Sequence, residues 1–83
     1  MVDILPKRKQ NEKDFGNWEE LSNDGRKYWF DVQGRAGGRA RYIKEVDREE
    51  ITISFRQEIY NSKGKMVEIH EKFPIDKGHK KIV

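Results

Sequence analysis

The chain has 83 residues, of which 34% are hydrophobic and 40% are charged, with a formal net charge of +3 and no cysteine. A chain this short makes one domain with a thin core, and without cysteine it has no disulfide, no thiolate nucleophile and no cysteine-based metal site. No apolar run is long enough to cross a membrane and the N-terminus lacks a signal-peptide core, so we expect a soluble cytoplasmic protein whose charge-rich composition is typical of thermophiles.

Residues 1–14 form a charged N-terminal segment. Pro6 is expected to end any regular element that begins before it, and a basic cluster, KRK, follows at residues 7–9. This segment is either a phosphate-binding arm or a flexible, solvated terminus, and we favour the second interpretation because chain ends are commonly disordered. The folded domain is then expected over residues 15–83.

Residues 15–22 are ambiguous between one helical turn and a strand. We favour a strand, because the sequence NDGR at residues 23–26 is typical of a type I′ hairpin turn. The next stretch, KYWFDVQ at residues 27–33, alternates apolar and polar residues as a half-buried strand does. Its core-facing residues are Tyr28, Phe30 and Val32, while Trp29 points to the other face.

Glycine-rich residues 34–38 connect this strand to another at residues 39–46. Glycine-rich loops bind phosphates when a helix N-terminus follows them, but no helical pattern follows here. We therefore expect a flexible hairpin loop that carries Arg35.

Residues 51–75 read as a long β-hairpin, because apolar and polar residues alternate in two runs. The connection at residues 61–65 fits a type I turn with Gly64 in the left-handed region. This turn predicts that Ile59 lies opposite Val67. Gln57 and Glu71 interrupt the apolar face, and they mark either a margin of the sheet or a β-bulge.

The predicted fold is mainly β, a small antiparallel meander of four to five strands, either open or curled into a half-barrel, with an irregular or short helical N-terminal segment. An open sheet exposes two edges and one apolar layer, so we expect a homodimer or a protein partner over an edge or over the apolar face. The predicted core consists of Tyr28, Phe30, Val32, Tyr42, Val46, Ile51, Ile53, Phe55, Ile59, Val67, Ile69, Phe73 and Ile75.

On the outer face, matching the apolar residues of neighbouring strands aligns the polar ones. This alignment places Arg41 opposite both Asp31 and Arg56, and Glu58 opposite Glu68. Like charges in opposed positions are destabilising, but diagonal contacts would relieve them and give a solvated lattice of ion pairs.

The same face supports a functional interpretation, a small module that binds RNA or single-stranded nucleic acid. Arginine binds phosphate in bidentate fashion, and exposed aromatic rings stack on bases. The predicted binding residues are Trp29, Arg35, Arg39, Arg41, Arg56 and His70.

Two alternatives come from other functional classes, a metal-independent ribonuclease and a non-enzymatic protein-interaction domain. In the ribonuclease, His70 and Glu58 or Glu68 would transfer protons while Arg56 stabilises the phosphorane-like charge. The basic, histidine-bearing hairpin in the last third of the chain resembles the small ribonuclease toxins of toxin–antitoxin modules, although it has no diagnostic motif and implies no residue roles. We expect no cofactor and no metal site, because the chain has only two histidines and no metal-binding spacing.

Overall fold

A computed structural model describes residues 4–82 of the chain, and the expectations for residues 1–3 and Val83 lie outside it. It contains one helix and a six-stranded antiparallel sheet in which each strand pairs with its neighbour in the chain. The prediction of a mainly β antiparallel meander is confirmed, with six strands instead of four to five. The sheet is open. Its elements are α1 (Leu5–Phe15), β1 (Asn17–Glu20), β2 (Arg26–Gln33), β3 (Arg39–Val46), β4 (Thr52–Tyr60), β5 (Met66–Phe73) and β6 (His79–Lys81).

Helix α1 occupies most of the segment that was expected to be flexible. Pro6 does not end a regular element: it lies in the first turn of α1, where the missing N–H group would have no partner in the helix. The helix ends at Gly16, which adopts φ 81°. Among the described residues, no helix is long and apolar enough to cross a membrane.

The core is smaller than the sequence predicts. Among the described hydrophobic residues, only Tyr28, Ile43 and Val46 are fully buried. Tyr28 and Val46 belong to the predicted core, whereas Ile43 does not. The reason is that one short helix, packed on β1 and β2, covers only part of the sheet. Five residues of the predicted core are therefore exposed: Val32, Ile51, Ile53, Phe73 and Ile75.

The turns follow the predictions in part. In the hairpin at residues 61–65, the Asn61 N–H donates to the Lys65 carbonyl at 2.9 Å and Gly64 adopts φ 80°, as predicted. The turn before β2 is not type I′, which needs positive φ at two residues. Of its residues only Asp24 has a positive φ, 65°.

The strand registers decide which side chains share a face. Strands β2 and β3 pair as predicted, with Asp31 opposite Arg41. Strand β4 is displaced by two residues from its predicted position, so Arg41 lies opposite Glu58 and not opposite Arg56. The displacement replaces a repulsive cross-strand pair with an attractive one.

Strand β5 departs further, because two β-bulges interrupt its pairing with β4. Val67 and Lys72 are the extra residues, and His70 lies opposite Gln57. A shift by one residue turns every side chain to the other face, which a buried sheet would not permit. Strand β5 tolerates it because α1 lies over β1 and β2, so neither face of β5 is tightly covered.

Candidate nucleic-acid interface

The two faces of the sheet differ in chemistry. We call the side on which α1 packs the helix face and the other side the polar face. Cross-strand pairing aligns Trp29 with Ile43, and Ile43 with Arg56, on the polar face. Of the six predicted binding residues, four lie on this face: Trp29, Arg39, Arg41 and Arg56.

His70 does not lie there. It is opposite Gln57, whose side chain donates a hydrogen bond to the Tyr42 hydroxyl at 3.1 Å on the helix face. Glu68, opposite Ile59, also lies on the helix face. Of the proposed catalytic residues, Glu68 therefore shares a face with His70, whereas Arg56 and Glu58 lie on the other side of the sheet.

His70 instead has His79 as its neighbour. The two imidazole rings have centroids 4.5 Å apart, and each ring contacts a carboxylate. His70 Nε2 lies 2.6 Å from Asp76, and His79 Nδ1 lies 3.0 Å from Glu68. The hydrogen bond from His70 lowers the pKa of Asp76. Within residues 4–82 no group of three or more potential ligands is arranged to hold a metal ion.

The polar face carries a lattice of ion pairs. Arg41 binds Asp31 in bidentate fashion, with N–O distances of 2.7 and 3.0 Å. Arg56 bridges Glu45 at 2.6 Å and Glu58 at 3.0 Å. The hydrogen bonds from Arg41 are the main reason that the pKa of Asp31 lies below its ordinary value. Arg39 Nε also lies 4.0 Å from Asp31, so three of the predicted phosphate-binding arginines are already paired with carboxylates.

This lattice also covers apolar surface. Ile43 is only 1% exposed although α1 packs on the other side of the sheet, because the long side chains around Ile43 lie over it. Trp29, its cross-strand neighbour, has Lys27 Nζ at 5.7 Å and the Arg41 guanidinium at 5.8 Å from its ring centroid. The polar face thus acts partly as a second, shallow core.

Two loops meet at one end of the sheet. The loop at residues 34–38 contains a 3-10 turn, Arg35–Gly37, and packs against the loop at residues 61–65. A Cβ atom on Gly38 would lie 2.7 Å from the Tyr60 carbonyl oxygen, so only glycine fits this approach. We call this end the basic tip, defined by Arg35, Arg39, Tyr60, Lys63 and Lys65.

The cations of the basic tip are largely unpaired. Within residues 4–82, Arg35, Lys63 and Lys65 take part in no ion pair, and all three are exposed. The Arg39 guanidinium stacks on the Tyr60 ring at 4.7 Å from its centroid. The Tyr60 hydroxyl donates to Glu58 at 2.6 Å, which fixes the ring. Burial and this carboxylate raise the pKa of Tyr60.

Of the tip residues, Tyr60, Lys63 and Lys65 were missed from the sequence. A signal was present, because residues 33–41 and 59–67 contain no acidic residue in a chain that is otherwise rich in them. No protein-family model, curated protein or solved structure matches this chain. Its function must therefore be inferred from the geometry and charge of its own surface.

Proposed function

We propose that the protein is a small module that binds RNA or single-stranded nucleic acid through the basic tip. The observation that carries this proposal is the segregation of charge. Residues 33–41 and 59–67 hold five basic residues and no acidic one. The whole chain has 18 basic and 15 acidic residues, so the remainder has 13 and 15, a formal charge of −2. Four of these five basic residues belong to the basic tip, so most of the net positive charge lies there, while the fifth, Arg41, is paired with Asp31.

The turns at the opposite end of the sheet carry a net negative formal charge, although Arg8 of α1 pairs with Glu50 there. Three turns lie there, at residues 21–25, 47–51 and 74–78, and together they contain five acidic and two basic residues. A molecule with this polarity would approach a polyanion tip first, because the field of clustered charge steers association. Exposed, unpaired cations release counterions from a phosphate backbone most effectively.

The tip also offers a stacking surface. Tyr60 is held between Arg39 and Glu58, and a base stacked near it would meet both a ring and a planar guanidinium. Trp29 lies further along the same face and extends this surface. The paired arginines, Arg41 and Arg56, serve mainly to hold the face in shape.

The electrostatic part of the proposal is tested with paired charge removals. Lys63→Ala/Lys65→Ala should weaken binding of a labelled single-stranded RNA and reduce the log–log salt slope by about 1.4, since each phosphate contact contributes roughly 0.7. Lys7→Ala/Lys9→Ala removes the same charge from α1 and should leave the slope nearly unchanged. Filter binding at several salt concentrations measures both. Equal effects of the two double variants would overturn the assignment to the tip.

The stacking part is tested at Tyr60. Tyr60→Leu should weaken binding by about 1–3 kcal/mol, the usual contribution of one stacked base. Tyr60→Phe keeps the ring and loses only the bond to Glu58, so it should bind nearly as the unchanged protein does. If Tyr60→Leu binds normally, the ring is not a stacking platform.

The alternative of RNA cleavage has one observation in its favour, the two carboxylate-paired histidines 4.5 Å apart. The same labelled RNA detects it directly. Cleavage that is lost in His70→Ala and retained in Lys63→Ala would favour the enzyme over the binding module.

A further inference from the structure

The molecule exposes more surface than its size requires. A compact monomer of 9.9 kDa exposes about 5200 Å², whereas this chain exposes 5984 Å². Its radius of gyration is 14.0 Å, compared with about 12 Å for a compact chain of this length. The excess of roughly 800 Å² equals the area that one partner buries in a typical specific interface.

The excess includes apolar side chains on the helix face. Phe15 of α1 packs on Tyr28, Phe30 and Phe55, and beyond these contacts the helix leaves the sheet uncovered. Val32 is 47% exposed and Phe73 is 45% exposed. Cross-strand pairing joins Val32 through Ala40 to Ile59, and joins Phe55 to Phe73. We call this surface the open apolar patch, and it consists of Val32, Tyr42, Phe55, Ile59 and Phe73. The Lys72 ammonium lies over two of its rings, 5.3 Å from the Tyr42 centroid and 5.9 Å from the Phe55 centroid.

We propose that a second copy of this chain covers the open apolar patch, in a two-fold dimer whose long axes run antiparallel. The excess exposed area matches the area that one partner buries in an interface. In a two-fold dimer, each copy buries the same area on the other. The charge distribution sets the direction. The loops at residues 34–38 and 61–65 contain three basic and no acidic residues, and the turns at the other end contain five acidic and two basic. Of the five acidic residues, Glu50 is buried and paired with Arg8, which leaves four to face a partner. Antiparallel pairing brings each basic end beside the partner's acidic end.

This arrangement leaves the polar faces outward. Pairing through the helix face buries neither Trp29 nor the ring of Tyr60, which belong to the other side of the sheet. The dimer would carry its two basic tips at opposite ends of a particle at least as long as the 46 Å chain. The inference does not depend on nucleic-acid binding, because it rests on exposed area and charge alone.

Adjacent residues of β2 provide a matched test. Val32→Glu would bury a charge in the interface and should raise the dimer dissociation constant at least about tenfold. Gln33→Glu adds the same charge one residue away, on the polar face, and should leave it unchanged. Phe73→Glu places a charge in the same interface from β5, and it should raise the dimer dissociation constant as Val32→Glu does. Sedimentation equilibrium measures all four proteins, and circular dichroism checks that each is folded.

The orientation is tested with a spin label, because the chain has no native cysteine. A label on Ser62→Cys marks the basic tip of each copy. In an antiparallel dimer, the distance between the two labels should exceed 24 Å, the intermediate dimension of the chain. A shorter distance overturns the antiparallel arrangement. A protein that stays monomeric at about 100 µM, or a dimer that Val32→Glu and Phe73→Glu leave intact, overturns the proposed interface.

Discussion

Glu50 and Gly64 occupy the same left-handed position in two hairpin turns with matching hydrogen bonds. Their φ angles are 62° and 80°. Asp47 begins one turn and Asn61 the other, and the side-chain oxygen of each accepts hydrogen bonds of 2.9 and 3.0 Å from two backbone N–H groups. Glycine adopts this conformation without strain, whereas for glutamate it costs about 1–2 kcal/mol.

The side chain of Glu50 offsets this cost. Its carboxylate is fully buried and accepts hydrogen bonds from Arg8 at 3.1 Å, Asn11 at 3.0 Å and the Tyr28 hydroxyl at 2.8 Å. Lys44 completes the group by donating to Asn11 at 2.9 Å. The Glu50 carboxylate therefore links α1 to β2, and Asn11 links the helix to β3 through Lys44.

Replacing Glu50 tests whether its side-chain hydrogen bonds outweigh the cost of its left-handed backbone conformation. Glu50→Ala leaves buried donors unpaired and should lower the free energy of unfolding by about 1–3 kcal/mol. Glu50→Gly loses the same bonds but removes the strain, so its loss should be smaller. Glu49→Ala, at the exposed neighbouring position, should change stability by less than about 0.5 kcal/mol. Urea denaturation measures all three, and a Glu50→Ala variant as stable as Glu49→Ala would contradict this account.

The Tyr28 phenol should ionise at an unusually high pH. Burial is the main reason that its pKa is raised to about 12, and the bond to Glu50 adds to it. Its ordinary pKa is about 10, so the stability due to the protonated phenol is present below about pH 10 and is lost as the pH rises towards 12. Glu50→Gln should lower this pKa but leave it above the ordinary value. Absorbance titration of the phenolate provides the measurement, with Tyr28→Phe as the control.

The contribution of Asp31 to stability should depend on pH in the opposite direction to that of Tyr28. Its pKa is lowered, chiefly by the hydrogen bonds from Arg41, so its contribution to stability is present above about pH 4 and is lost as the pH falls. Arg41→Gln should raise the pKa of Asp31 towards the ordinary value, while Arg48→Gln, in an exposed turn, should not. The Asp31 pKa in each variant is measured by following its carboxyl chemical shift by NMR as the pH is changed. An unchanged pKa in Arg41→Gln would show that this ion pair does not persist in solution.

Phe15 should hold α1 on the sheet. Its ring lies 5.4 Å from Phe30 and 6.0 Å from Tyr28, measured between centroids. Because the ring is only half-buried, Phe15→Ala should cost roughly 2 kcal/mol, below the range for fully buried phenylalanine. Amide hydrogen exchange should accelerate in α1 more than in β4. Lys13→Ala, in the same turn of the helix and exposed, is the control. Equal acceleration in helix and sheet would mean that α1 does not open separately.

The strands could be read from the sequence because alternation is a local property, and the turn at residues 61–65 could be read because Gly64 marks it. The register of β4 could not, since the turn before it places glutamate where a sequence pattern predicts glycine. An irregularity between Glu45 and Val46 then shifts the pairing by one more residue. Glu50 adopts that position because Arg8, Asn11 and Tyr28 bind it, and those contacts are distant in the chain.

The site was predicted in part for the same reason. Trp29, Arg39 and Arg41 share a face because the β2–β3 register was correct. The predicted face of His70 is wrong because the bulge at Val67, which lies between the turn and His70, displaces β5 by one residue. Strand β5 tolerates the bulges because α1 does not cover it. The local sequence pattern cannot predict which part of a sheet a helix covers.

The uninterrupted order of the strands has a consequence for how the chain folds. Within residues 4–82, every strand pairs only with its chain neighbours, so no contact within the sheet requires closure of a long loop. Folding rates rise as contacts become more local, and an all-β protein of this kind should therefore fold faster than sandwiches or closed barrels of similar length. Growth from the β3–β4 pair outwards would let each hairpin form on the edge of the last, and the short terminal strands would complete the sheet.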